Sequence, residues 1–312
     1  RAAGWPIGVI FLGLAGAMLP SAILVSDGAV ITWDAAWVPE LGLDLALRLD
    51  GLSVIFIALA LVIGALVFFY STTYFTKGNQ RGFYVIMTGF TFAMVALTVS
   101  DSLVLMFLTW ELTSLASFLL IARSGHAGEA ASMRTMLLTF IGGLALLAAV
   151  ALIMARTGTS TFSQAIASPV WGSDPAFTGL IAVLVAAAGF SKAAQFPFHL
   201  WLPDAMAAAT PVSAYLHAAA VVKAGIYLLF RFSIIFHSTL IWNVLLVGLG
   251  LFTSVLAAWF AMQQVDLKKL MAYSTVSQLG LITATIGVGT SVAIAAALLH
   301  TIAHACFKSG LF

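Results

Sequence analysis

A stretch of about twenty apolar residues can satisfy its own backbone in lipid only by coiling into a helix, and this chain is built from such stretches almost end to end. They fall at about 5–25, 52–75, 82–100, 103–122, 135–155, 177–206, 211–232, 242–263, 269–288 and 292–312. No linker or low-complexity stretch separates them, so residues 1–312 are expected to form a single bundle. Soluble domains are roughly half apolar and a quarter charged. Here 62% of the 312 residues are hydrophobic and 8% are charged, so lipid must solvate much of the surface. The expected fold class is an all-α polytopic membrane protein with about ten transmembrane segments.

The remaining composition mostly excludes. A net charge of +2 gives no hint of a nucleic-acid partner. The single cysteine, Cys306, lies in an apolar run and rules out an internal disulfide. There is no GxGxxG after a strand, no GxxxxGK[ST], no CxxCH and no cysteine cluster, so no bound cofactor is expected. No secretory signal pattern is visible. The chain starts with Arg1 and stops at Phe312 inside an apolar segment, which reads as an internal piece of a longer protein.

Basic residues assign the two sides. With the first segment starting in the cytoplasm, the inner ends hold Arg1, Lys77, Arg81, Arg123, Arg134, Lys268 and Lys269, and the outer ends hold Arg48, Arg156 and Arg231. This excess agrees with the positive-inside rule. Lys192, Lys223 and Lys308 remain within the spans.

Those three lysines and Glu111 constrain function most. A charge at the bilayer centre costs about 2.5–3.5 kcal/mol on insertion scales, so each must face the bundle interior with a partner or water. Glu111 sits mid-span in LVLMFLTWELTSLASFLLIA. It is either a protonated glutamate bonding a neighbouring helix or a carboxylate that ionises beside a protonated lysine. Lys192 lies near the end of LIAVLVAAAGFSKAAQF, five residues before Pro197. Residues 177–206 would span about 45 Å as one helix, longer than a hydrocarbon core of about 30 Å. A break near Phe196–Pro197 is therefore predicted, because a mid-helix proline removes a hydrogen bond and clashes with the preceding turn. Gln195 and His199 are placed to satisfy groups freed there.

His217 and Lys223 lie six residues apart, separated by about 120° around and about 9 Å along a continuous helix. They would line one wide polar interior without touching. His300, His304 and Lys308 recur every four residues, which puts them on one helix face. That face is a proton relay, a structural polar stripe, or, with further ligands, a zinc site. A lysine one turn on disfavours a cation, and the expectation is a relay with no metal, facing Lys223 across the bundle. A buried lysine loses its proton more readily than in water and a nearby carboxylate opposes that loss. A row of glutamate, lysines and histidines is thus a proton path with switchable steps.

The stretches TWELTSLASFLLI, GFSKAAQFPFHLWLPDAMAAATPVSAYLHAAAVVKAGIYLLFRF, DLKKLMAYSTVSQLGLI and LLHTIAHACFKSGLF resemble the proton-translocating membrane subunits shared by complex I and the Mrp multisubunit sodium/proton antiporters. WELTS, TPVSAYLH and VVKAGIYL are most similar to the large A-type subunits of the antiporters, and the antiporter-like subunits of complex I are the nearer alternative. The resemblance implies an antiporter-like bundle of two inverted five-helix repeats, with at least one helix before this piece and several after it. It implies a proton-translocation role for Glu111, Lys192, His217, Lys223, His300, His304 and Lys308. The broken helix would carry Gln195, Pro197 and His199. It further implies other membrane subunits as partners, protons and sodium as cargo, and a bacterial cell membrane as location. Ala209 stands where the family commonly has proline, which leaves that turn looser.

Overall fold

The computed structural model describes residues 3–38, 40, 43–76, 78 and 80–312; Arg1 and Lys77, expected on the inner side, lie outside the described residues. Helices α1 (Gly4–Ala17) and α2 (Leu19–Ser26) form one interrupted segment, followed by strands β1 (Ile31–Val38) and β2 (Leu43–Leu49). Then come α3 (Gly51–Tyr74), α4 (Arg81–Val99), α5 (Leu103–Ala122) and α6 (His126–Thr157). Two short helices, α7 (Phe162–Ile166) and α8 (Val170–Ser173), precede α9 (Pro175–Lys192), and α10 (Trp201–Asp204) follows after a break. The chain continues through α11 (Thr210–Ala218), α12 (Val221–Phe236), α13 (Leu240–Met262), α14 (Leu267–Gly287) and α15 (Ser291–Leu311).

Among the described residues, nine helical segments are long and apolar enough to cross a membrane, taking α1–α2 and α11–α12 as one each. A tenth, α14, has 21 residues but a more polar sequence, with Lys268, Lys269, Ser274 and Gln278. The polar residues between apolar runs start helices. Asp50 accepts from the Ser53 amide at α3, Ser102 from Leu105 at α5, and Asp174 from Phe177 at α9, where Pro175 takes the first turn. Each supplies an acceptor to an amide that has no partner inside the helix.

Side-chain contacts sort the helix ends into two sets. Arg231 reaches Asp50 and Arg156 reaches Asp174 at one end. At the other, Arg134 pairs with Asp204 and Lys268 donates to the carbonyls of Met206 and Ala208. These groupings match the alternation of sides expected from the spans.

Helix α12 is the centre of the bundle. Every residue from Val221 to Ser233 is buried, so the polar row Lys223, Tyr227 and Arg231 on it must find its partners inside the bundle. The helix meets α9 almost backbone to backbone: a Cβ on Gly225 would lie 2.5 Å from the Ala193 nitrogen and 2.6 Å from the Gly189 oxygen.

Three features depart from the sequence reading. Residues 31–49 hold an antiparallel hairpin with Trp33 opposite Leu47, anchored where the amides of Asp101 and Ser102 donate to the Ala46 carbonyl. Helix α6 is 32 residues long rather than the 21 of 135–155; at about 1.5 Å per residue it outruns the hydrocarbon core. The 211–232 span is not one helix. The amides of Ala219 and Ala220 both turn back to the Tyr215 carbonyl, and helical bonding resumes with the Lys223 amide donating to Ala220. His217 and Lys223 therefore sit on two helices, and the offset of about 120° expected on one continuous helix does not apply.

Candidate functional site

The break falls where expected and begins at Lys192 itself, the last residue of α9. The Ala193 amide still reaches the Gly189 carbonyl, but Ala194 takes φ +51° and the chain unwinds through a cis Phe196–Pro197 peptide into 3-10 turns. Freed groups are met locally. Trp201 Nε1 donates to the Ser191 carbonyl at 2.8 Å, Gln195 Nε2 to the Ala193 carbonyl at 2.7 Å, and the Phe196 amide to Thr253 Oγ1 at 3.0 Å. His199 stacks between Phe196 and Phe260, and its Nδ1 has no protein partner.

Lys192 is fully buried. Its ammonium donates to the Trp110 carbonyl and to Thr113 Oγ1 on α5 and lies 4.1 Å from the Trp110 ring centroid. These are neutral acceptors and a π face, which attract a cation without cancelling its charge. Glu111 is next in sequence to Trp110. Among the described residues no ion pair within 4 Å joins Glu111 to Lys192. Glu111 is half-buried, and its Oε1 is buried without a partner against α6. A Cβ on Gly143 would lie 2.0 Å from that oxygen, and one on Gly142 would lie 1.8 Å from Ser191 Oγ. The diglycine therefore lets the carboxylate and the end of α9 lie directly on the α6 backbone.

A second cluster joins α11, α12, α14 and α15. Lys223 Nζ is 2.9 Å from His304 Nδ1, and both side chains are fully buried. Either the amine donates to the ring or the ring donates to a neutral amine, so the shared hydrogen can belong to either group. The other ring nitrogen of His304 has no protein partner, nor has either nitrogen of buried His217, which packs beside Phe312. His300 bonds Gln278 Oε1 at 2.7 Å, and buried Lys308 donates to the Met271 carbonyl at 3.2 Å. The stripe on α15 thus turns its middle residue to Lys223 and its flanking residues to α14. Among the described residues no three His, Cys, Asp or Glu side chains gather as metal ligands.

One polar group of α12 is bound quite differently. Lys223, Tyr227 and Arg231 follow at four-residue intervals, and Arg231 ends the row in a closed network. Its guanidinium donates to both Asp50 oxygens, to Ser53 Oγ at 2.9 Å and to the Tyr227 hydroxyl. Tyr227 donates in turn to the Thr98 carbonyl at 2.9 Å, and Arg48 adds a bond to Asp50 at 3.1 Å. Burial pushes the Asp50 carboxyl up, but Arg231, the Ser53 amide and Arg48 outweigh it and hold Asp50 at about 2, below its ordinary 3.8.

Sequence reasoning named the ionisable groups and missed what holds them: Trp110, Thr113, Gly142, Gly143, Trp201, Thr253, Gln278 and the Asp50–Arg231 pair. A diglycine in the middle of an apolar helix was the one available signal, since glycine weakens a helix interior unless close packing requires it.

Residues 100–312 match the family described as NADH:quinone oxidoreductase/Mrp antiporter, TM. Residues 36–85 match the one described as NADH-Ubiquinone oxidoreductase (complex I), chain 5 N-terminus. The chain is 41% identical to the A-type subunit of a Na(+)/H(+) antiporter of Alkalihalophilus pseudofirmus, over 99% of this chain and 41% of the relative. It is 42% identical to the A/B-type subunit of a probable K(+)/H(+) antiporter of Rhizobium meliloti, over 92% of this chain and 29% of the relative. Among solved structures it is similar to a chain of the Mrp complex from Dietzia sp., with TM-score 0.95 and 52% identity over 99% of this chain and 34% of that one. A chain of the membrane-bound sulfane sulfur reductase, an archaeal respiratory membrane complex, gives TM-score 0.87 and 25% identity, over 97% and 63%. The chain spans less than half the length of these curated relatives.

Proposed function

The chain belongs to the NADH:quinone oxidoreductase/Mrp antiporter membrane family, and from that premise we propose that it forms a proton-translocating part of a multisubunit cation/proton antiporter. The carrying observation is the Lys223–His304 contact at 2.9 Å, fully buried, with no carboxylate paired to the lysine among the described residues. A buried amine without a counter-charge is poised between its two protonation states. A histidine against it passes the proton on toward Lys308 and His217, which lie in the same buried cluster.

Glu111 and Lys192 form the other half of the path. When the carboxylate is charged and near, it stabilises the ammonium; when it is protonated or moved away, Lys192 releases its proton to the next group. The broken helix keeps the region beside Lys192 polar, and unpartnered atoms on Gln195, Glu111, His217 and His304 mark where water would complete the chain, since buried polar groups are normally satisfied.

In this reading the chain is part of a transporter rather than an enzyme. It works with other membrane subunits in a bacterial cell membrane, and the driving gradient is sodium or potassium. A redox-driven pump would use the same buried groups. The antiporter is favoured because identity is 52% to the Mrp chain and 25% to the respiratory one.

The test uses vesicles carrying the complete complex. A sodium or potassium pulse should produce a proton movement, read by a pH-sensitive dye, that Lys223→Ala abolishes. Proton movement that needs a reductant and ignores both cations would favour the redox-driven pump.

A further inference from the structure

The carboxylate of Glu111 makes no ion pair within 4 Å with Lys192. It rests on Gly143. The three atoms nearest to a Cβ at Gly143 would all be Glu111's: Oε1 at 2.0 Å, Cδ at 2.8 Å and Oε2 at 3.3 Å. All three atoms belong to the far end of one flexible side chain. A methyl group at 143 would therefore press first on the carboxylate, which can move more readily than a backbone. Gly142 differs, because a methyl there would meet Ser191 Oγ at 1.8 Å and Ser191 Cβ at 2.5 Å and would press on α9.

We propose that Gly143 is a positioning residue for Glu111: lacking a side chain, it leaves a notch on α6 that serves as the carboxylate's resting station apart from Lys192. The proposal rests on the reading of Glu111 as a proton-carrying group and adds where that group goes. Oε1 is buried in the notch without a protein partner, so nothing but shape holds it there, and a carboxylate held by shape alone leaves at little cost. The notch thus defines one end of a two-position movement whose other end is the Lys192 ammonium on Trp110 and Thr113.

The experiment is a double-variant cycle in vesicles carrying the full complex, with assembled complex measured on the same preparation. Gly143→Ala should lower cation-driven proton movement by up to about a hundredfold, the scale on which a misplacement of about 1 Å acts. Gly89→Ala should leave it unchanged, because a Cβ at Gly89 meets nothing within 4 Å. Glu111→Asp draws the carboxylate back by about 1.5 Å, one carbon–carbon bond. In the Glu111→Asp background, Gly143→Ala should then cost nothing further. Losses that multiply, as for independent sites, or a Gly143→Ala variant as active as the parent, would overturn the notch.

A second readout does not depend on transport. Dicyclohexylcarbodiimide labels protonated membrane carboxyls, and the labelling rate at Glu111, followed by mass spectrometry, should change severalfold in Gly143→Ala and not in Gly89→Ala. An unchanged rate would overturn the placement. A fully active Glu111→Gln variant would instead overturn the proton-carrying reading, with the labelling rate still deciding the notch.

Discussion

Two cations lie buried on the same helix, eight residues apart, and their surroundings are opposite. Arg231 is enclosed by the Asp50 carboxylate, Ser53, Tyr227 and, through Tyr227, the Thr98 carbonyl. Lys223 touches one histidine, and that histidine has an unpartnered nitrogen on its far side. A buried charge with a bonded counter-charge is a fixed part of the structure, and removing either partner strands the other. A buried amine facing a neutral, titratable ring is one proton away from a different state. The comparison separates a buried charge closed by a counter-charge from a buried amine left without one, which the proposed function sets to work, and burial alone does not distinguish them.

The largest expected break in this comparison is Lys223→Ala. Cation-driven proton movement should fall to background, more than about a hundredfold, while the amount and thermal stability of the complex stay level or rise. Removing an uncompensated amine relieves a desolvation cost and leaves only the neutral His304 Nδ1 without its bond, not a stranded counter-charge. A variant that loses assembly in step with transport would put Lys223 in the same class as Arg231.

Asp50→Ala should behave in the reverse sense. It strands Arg231 and removes the cap of α3, so stability should drop by about 3 kcal/mol, seen as a lower Tm and less assembled complex. Transport per assembled complex should change little. Asp50→Asn keeps an acceptor for the Ser53 amide and should lose less. The pH dependence follows from the depressed carboxyl: its ionised form is favoured by folding, so its contribution is complete above about pH 4 and is lost as pH falls toward about 2. Parent protein should lose Tm across that window, and Asp50→Asn should lack that part of the loss.

His304→Ala tests the other end of the contact. Lys223 keeps its site but loses its relay, so transport should slow by about a hundredfold without stopping, with a changed profile between about pH 6 and 9. Flux and profile equal to the parent would reduce the α15 stripe to packing.

How legible all this was in the sequence depends on the range of the interaction. The spans and the intramembrane charges were readable because hydropathy sums over neighbours, and the break at Pro197 because length and proline are both local. The second break was hidden. His217–Ala218–Ala219–Ala220–Val221 is rich in the best helix former, and the interruption arises where both alanine amides turn to the Tyr215 carbonyl inside a crowded bundle. The hairpin carried a weak signal, since LDLALRL alternates as a half-exposed strand does, but seven residues among long apolar runs were easily read as loop. Glu111 and Lys192 were both named from their spans. That the carboxylate lies on Gly143 and the ammonium on a tryptophan carbonyl depends on how α5, α6 and α9 cross, which no local pattern encodes.

The smallest expected effect sharpens the comparison by stiffening the broken segment between Lys192 and α11. Ala209 has φ −59° and ψ 147°, and Ala208 before it has φ −67° and ψ 159°. The first is the backbone a proline adopts and the second is the extended conformation required before one. Ala209→Pro should therefore fit without rearrangement and stabilise the fold by about 0.4–1 kcal/mol, chiefly by narrowing the unfolded ensemble. A Tm that falls would mean the turn relaxes around something other than its backbone angles. The informative quantity is transport at the raised Tm. If the segment between Lys192 and α11 only scaffolds the site, flux stays at the parental level; if it flexes as protons pass, flux drops while stability climbs. Opposite movement of the two would group residues 193–209 with Lys223, and parental flux at a raised Tm would group them with Arg231.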